Sequence, residues 1–144
     1  MLWSSPGSSR CASGLILWPL AVWFFWEDCV SSFVHLHVHS EFSLLDGLAS
    51  PKALCKRAAE LGQSALALTD HGCMYATVSF CQAAAEQGIK PILGCELYQA
   101  PRSMQHREPG VDRDAYHLLL LAMNQGGYEN LLKLVTLAST EGMY

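Results

Sequence analysis

Hydrophobic and polar positions in this chain settle into regular periods only after residue 32. Residues 33–39 (FVHLHVH) alternate, with Val34, Leu36 and Val38 on one face and His35, His37 and His39 on the other. That period of two marks a strand with one apolar face. Ser50 followed by Pro51 predicts a helix start: a side chain that caps free backbone N–H groups, then a residue whose fixed φ suits the first turn. Leu54, Ala58 and Leu61 keep helical spacing up to Gly62, which ends the helix. Residues 65–69 (ALALT) predict a short buried strand, and a helix follows over about 75–87, closed by Gly88. Residues 91–98 (PILGCELY) read as a strand, 101–114 (PRSMQHREPGVDRD) as a polar loop, and 117–122 (HLLLLA) as a further buried strand. Tyr128, Leu131, Leu132, Val135 and Ala138 fall on one face of a closing helix.

Strand and helix alternate with short connections, which predicts an α/β fold of βα units around a mainly parallel sheet. Runs such as ALALT and LLLLA are what strands buried on both faces require. Periodicity leaves a barrel and an open doubly wound sheet equally available. Four strands fall short of a closed barrel, so a barrel would be partial and incomplete, a TIM-like (β/α) arrangement continuing past residue 144.

The first 32 residues break this order. Residues 15–26 (LILWPLAVWFFW) form an apolar run of 12, interrupted by Pro19 and without helical or strand period. A membrane span needs about 20 such residues, so none is expected. The run has the length of a signal-peptide core, but Glu27 and Asp28 follow it directly and no small-residue cleavage site is evident. Residues 1–32 are therefore expected to be a leader outside the domain, with a natural start near Val30, and residues 33–144 to be the domain itself. Mass spectrometry of the expressed N-terminus tests this, and an intact Met1 in a soluble product would contradict it.

Hydrophobic residues make up 51% of the chain and charged residues 15%, so a packed core is within reach. The net charge of −4 argues against a broad basic nucleic-acid-binding surface on this stretch. The six cysteines (Cys11, Cys29, Cys55, Cys73, Cys81 and Cys95) form no C-x-x-C pair. They fit reduced, buried thiols in a cytosolic protein.

Chemistry gathers at strand ends. His37 and His39 close the first strand, Asp46 follows in SLLDG, Asp70 and His71 close the second in TDHG, and Glu96 closes the third in GCE. In parallel α/β folds such ends converge on one mouth where ligands bind. Imidazoles and carboxylates together there suit Zn²⁺, Mn²⁺ or Fe²⁺ better than Ca²⁺. H-x-H alone would equally be a polar strand face; TDH and GCE on separate strands are what favour a metal. Unpaired, so many ionisable groups in one low-dielectric pocket would be costly.

The segments HLHVHSEFSLLDG, ALTDHG, KPILGCELYQAPRS and HLLLLAMNQGGYENLLKL resemble the PHP (polymerase and histidinol phosphatase) family from residue 33 onward. Within it they are similar to the branch that opens the bacterial DNA polymerase III alpha subunits, and the retained motif positions favour the replicative over the error-prone type. The resemblance implies a PHP-type barrel with His37, His39, Asp46, His71, Glu96 and His117 as metal ligands, Glu96 bridging, and Glu96, His37 and His39 serving catalysis. It also implies further ligands beyond Tyr144. His35 and Asp70 are expected to support the ligands from behind. His117 begins its strand rather than ending it, so its role rests on the resemblance alone.

The implied cofactors are Zn²⁺ or Mn²⁺, with Mg²⁺ as the other choice, in a cluster of two or three ions. The implied activity is phosphodiester hydrolysis of a 3′–5′ exonuclease kind inside a cytoplasmic DNA-directed DNA polymerase whose nucleotidyl-transfer site lies elsewhere. Its partners would be DNA, a proofreading exonuclease and a sliding clamp, and no membrane. Two alternatives stand beside this: a separate PHP phosphatase acting on an ester such as histidinol phosphate, and a non-catalytic structural metal module. Residues 33–144 alone are expected to be poorly soluble, with apolar faces and a strand edge left open.

Overall fold

The structure, a computed structural model, describes residues 33–142; the expected leader, 1–32, lies outside the described residues. Helix α1 (Pro51–Glu60) starts as its sequence dictates, with the Ser50 hydroxyl accepting the Ala53 N–H at 3.3 Å and Pro51 in the first turn. Strand β1 (Ala65–Leu68) is buried at every position. Helix α2 (Thr77–Gln87) closes on Gly88, whose φ of 67° is the left-handed conformation that a residue without Cβ adopts freely. Strands β2 (Lys90–Gln99) and β3 (Tyr116–Leu121) follow. Helix α3 (Gln125–Leu137) is capped by Asn124, which accepts the Gly127 N–H at 2.9 Å, and runs into a π-type turn, Ala138–Gly142.

The core lies between the two helices and β1. Cys55 and Ala58 of α1 pack with Leu66 and Leu68 of β1 and with Phe80, Ala83 and Ala84 of α2; Ile89 completes the cluster. Alanines at the contact let the helices approach closely, and Phe80, fully buried, fills the space between them. Cys55, Cys73 and Cys95 are buried free thiols and Cys81 is half-buried. Burial pushes the Cys95 thiol up to about 12, so it is an inert packing group. No helix among the described residues is long and apolar enough to cross a membrane.

An α/β architecture with a three-stranded sheet in the order β1-β2-β3 is thus in place, and three features differ from the sequence expectation. Residues 33–39 are extended but not a regular strand. The Ala67 N–H donates to the His35 carbonyl at 2.9 Å and the Thr69 N–H to the Val38 carbonyl at 2.8 Å. Two residues separate the donors and three separate the acceptors, so the segment carries an extra residue and the ladder breaks. The Thr69 hydroxyl fills the gap, accepting the Val38 N–H at 2.9 Å and donating to the Val38 carbonyl at 3.0 Å.

The second difference is direction. β1 and β2 are parallel (Ala65 opposite Lys90), but β2 and β3 are antiparallel, with Gly94 opposite Leu121 and Gln99 opposite Tyr116. The long polar loop therefore turns the chain back instead of crossing over. The third concerns burial: LLLL of β3 was expected to be covered on both faces, yet its residues run from exposed to half-buried. Among the described residues β3 has β2 on one side and no strand on the other, and of the predicted apolar face of α3 only Leu131 is buried.

Candidate metal centre

Glu96 organises the site. It lies on β2 opposite Leu119 of β3, and on its other side it bridges to His71, just past the end of β1. Its N–H donates to the Asp70 carbonyl at 3.1 Å and its carbonyl accepts the Gly72 N–H at 2.9 Å, so the TDHG segment is stitched to β2. Alternation along β2 puts Glu96 and Tyr98 on one face. Because β3 runs antiparallel, its first residues meet the last of β2, and His117 pairs with Tyr98 on that same face. The strand start that looked like the wrong end is the right end once the direction is known.

The Glu96 side chain, 2% exposed, is surrounded by four imidazoles. His37 Nε2 hydrogen-bonds to Oε2 and His117 Nδ1 makes a close ion-pair contact with Oε1, while His39 Nε2 lies 3.2 Å from Oε2 and His71 Nδ1 3.6 Å from Oε1. His39 Nε2 is also 3.1 Å from His37 Nε2, and the His39 and His71 rings lie 4.1 Å apart. Asp46 joins from the loop, its Oδ2 2.8 Å from His71 Nε2. The Tyr98 hydroxyl is 3.2 Å from His71 Nδ1, and its ring meets His117 edge-on at 4.9 Å.

Burial works to raise the Glu96 pKa, but the His37 hydrogen bond and the charges of His71, His37 and His117 outweigh it, leaving the carboxyl below its ordinary value. The hydrogen bond from His71 likewise holds Asp46 below the usual carboxylate range. Burial pushes the Tyr98 phenol up, so it remains a protonated donor at neutral pH.

The loop carrying Asp46 folds on itself. Ser43 N–H donates to the Ser40 carbonyl at 2.9 Å, and the N–H groups of Asp46 and Gly47 donate to the Ser43 carbonyl at 3.1 and 2.7 Å. Beneath it sits Asp70, buried, accepting the Ser40 N–H at 2.6 Å, the Ser40 hydroxyl at 2.7 Å and the Ser43 hydroxyl at 2.8 Å. Asp70 faces the loop rather than the pocket. His35 lies outside the cluster: it is exposed, its ring edge-on to Phe33 at 4.7 Å, and its N–H reaches Gln63 Oε1 at 3.4 Å.

The donor set fits divalent cations. Ligand atoms of His37, His39 and Glu96, of His39, Asp46 and His71, and of His71, Glu96 and His117 each lie within 4.8 Å of one another. Imidazole nitrogens facing each other and a carboxylate across such gaps are a mixed N/O set of the kind Zn²⁺ and Mn²⁺ favour. The six residues expected as ligands are thus brought together. Sequence reasoning missed Ser40, Ser43 and Tyr98. Tyr98 was available from alternation, two residues past Glu96; the serines carry no periodic signal.

A family model described as PHP domain matches residues 35–144. A DNA polymerase III subunit alpha from Treponema pallidum is 54% identical over 114 residues, 78% of this chain and 10% of that protein. One from Borreliella burgdorferi is 44% identical over 115 residues, again 10% of its length. The chain therefore spans about a tenth of these relatives. A solved amidohydrolase from Chromobacterium violaceum, with bound sulfate and no metal, is 28% identical over 69% of this chain and 32% of that chain, with a TM-score of 0.48.

Proposed function

This chain belongs to the PHP domain family, and from that premise we propose that it supplies the metal-binding phosphoesterase centre of a replicative DNA polymerase alpha chain. The observation that carries the reading is Glu96: a buried carboxylate on β2 with imidazoles from three other segments directed at it. Glu96 is the bridging ligand, His37, His39, Asp46, His71 and His117 complete the set, and two or three Zn²⁺ or Mn²⁺ ions are the cofactors. A bound divalent cation supplies an activated water and polarises a phosphoryl oxygen.

The residues themselves hold and orient. Glu96 and His37 face the pocket together, and the neighbouring Tyr98 phenol keeps its proton for donation to a phosphate oxygen or to His71. The substrate proposed is a DNA 3′ end, in 3′–5′ exonuclease fashion, within a cytoplasmic replicase that also engages a proofreading exonuclease and a sliding clamp. The relatives favour this over a separate small-ester phosphatase.

The test uses the full 144-residue chain, titrated with Mn²⁺ or Zn²⁺ and assayed for 3′ nucleotide release from single-stranded DNA. Glu96→Ala and His37→Ala should each weaken metal binding by more than the about 10–100-fold that loss of an outer partner of a ligand costs, and abolish release. Wild-type metal content in both variants would overturn the ligand assignment.

A further inference from the structure

Ser43 belongs to none of the metal-ligating groups and is 3% exposed. Its hydroxyl lies 2.8 Å from Asp70 Oδ1, 3.1 Å from the His71 backbone N–H and 3.3 Å from His39 Nδ1. Its carbonyl accepts the N–H groups of Asp46 and Gly47. Three of the proposed ligands, His39, Asp46 and His71, are therefore positioned through this residue.

The proton directions at the Ser43 hydroxyl follow from its three partners. A serine hydroxyl has one proton to donate and two lone pairs with which to accept. The His71 backbone N–H can only donate, so it takes one lone pair. Asp70 Oδ1 is an acceptor; were the Ser43 proton sent to His39, two bare oxygens would face each other at 2.8 Å inside the protein. The Ser43 proton therefore goes to Asp70, and the second lone pair faces His39 Nδ1. Nδ1 must then carry a hydrogen, and in the neutral ring that leaves Nε2 with its lone pair. Nε2 is the atom that points to His37 and Glu96.

We propose that Ser43 is a positioning residue of the metal centre: backed by Asp70, it locks His39 in the Nδ1–H form with Nε2 free to bind a cation. The chain Asp70–Ser43–His39 does through a serine what a carboxylate bonded directly to a ligand histidine does elsewhere. Ser40 supports it by holding Asp70 in place with its N–H and its hydroxyl. The proposal rests on the metal reading only for its use; the tautomer is a property of the metal-free chain.

The experiment exploits that separation. The full chain, with ¹⁵N-labelled histidine and no metal, is examined by long-range ¹H–¹⁵N NMR under mildly alkaline conditions, His39 being assigned by its loss in His39→Gln. His39 should show the Nδ1–H pattern in the wild type, and Ser43→Ala should shift it towards Nε2–H while His117 keeps its pattern. Mn²⁺ titration of Ser43→Ala should give affinity weakened by about 10–100-fold, with Ser43→Thr recovering part of it. An Nε2–H pattern for His39 in the wild type overturns the proposal without any variant, so a misfolded Ser43→Ala does not shield it. An unchanged pattern with unchanged Mn²⁺ affinity in Ser43→Ala overturns it as well. Failure of the wild type to bind metal while His39 is Nδ1–H would instead sink the phosphoesterase reading and leave the tautomer lock standing.

Discussion

Gly47 shows how finely single residues place the ligands. A Cβ at this position would collide with the Ser40 carbonyl, which is already held by the Ser43 N–H. The clash is with backbone, so a side chain can be admitted only by opening the loop that carries Asp46. Gly47→Ala should lower thermal stability by about 1–3 kcal/mol and weaken Mn²⁺ binding together, read by calorimetry and titration. Gly126, at the exposed start of α3, is the contrasting case: an added Cβ meets only Asn124 Oδ1 at 3.5 Å. Gly126→Ala should raise stability by about 0.5–1 kcal/mol by restricting the unfolded chain. Equal effects at the two sites would contradict this picture. At this scale the ligands were legible in the sequence because H-x-H, TDH and GCE each set metal-binding chemistry beside an apolar run; only TDH closes a strand as expected, since residues 33–39 form no regular strand and Glu96 lies inside β2. Ser43 was not, because its role depends on a loop folding back over Asp70, which no period announces.

Elements were legible where the determinants are local. Ser50–Pro51 and Gly88 fix the ends of α1 and α2 through side-chain and backbone chemistry within a few residues, and these ends lie where the sequence placed them to within a residue or two. Strand direction was not legible. HLLLLA reads the same whether β3 runs with β2 or against it, and the choice lies in the loop between them. That loop has its own clamp: Arg102 Nε donates to Asp112 Oδ1 at 2.8 Å, its guanidinium also grips Oδ2 and Glu108, and the Glu108 N–H donates to Asp112 at 2.8 Å. The Arg102 hydrogen bonds, then that N–H, hold the Asp112 carboxyl at about 2 against an ordinary 3.8. A lowered carboxyl pKa means the folded loop is favoured fully above the ordinary value, and the contribution is lost as pH falls through about 2. The Glu108 amide resonance should therefore shift with a midpoint near 2, and Arg102→Gln should move that midpoint up towards 3.8. A wild-type midpoint already at 3.8 would mean that the clamp does not form in solution.

Across the described residues as a whole, covered and uncovered surfaces are unevenly distributed. Phe80 and its neighbours seal the space between α1, α2 and β1, whereas β3 offers one side to β2 and shows no partner strand on the other. Tyr116 and Leu118 of that strand are 65% and 43% exposed, and Leu132, Leu134 and Leu137 of α3 each about 40% or slightly more. A strand edge with free N–H and C=O groups beside apolar side chains is a template for pairing with another chain. The net charge of −3 on residues 33–144 is too small to keep copies apart by repulsion at physiological salt, where screening acts within about 8 Å. Residues 33–144 expressed alone should consequently associate, with light-scattering mass rising with concentration. Leu118→Lys, which places a charge on the open edge without touching the metal pocket, should reduce that association while leaving Mn²⁺ binding intact. A sharp cooperative melt of a monomer by the unsubstituted segment would show that the edge is satisfied within one chain, and the argument from exposure would fail.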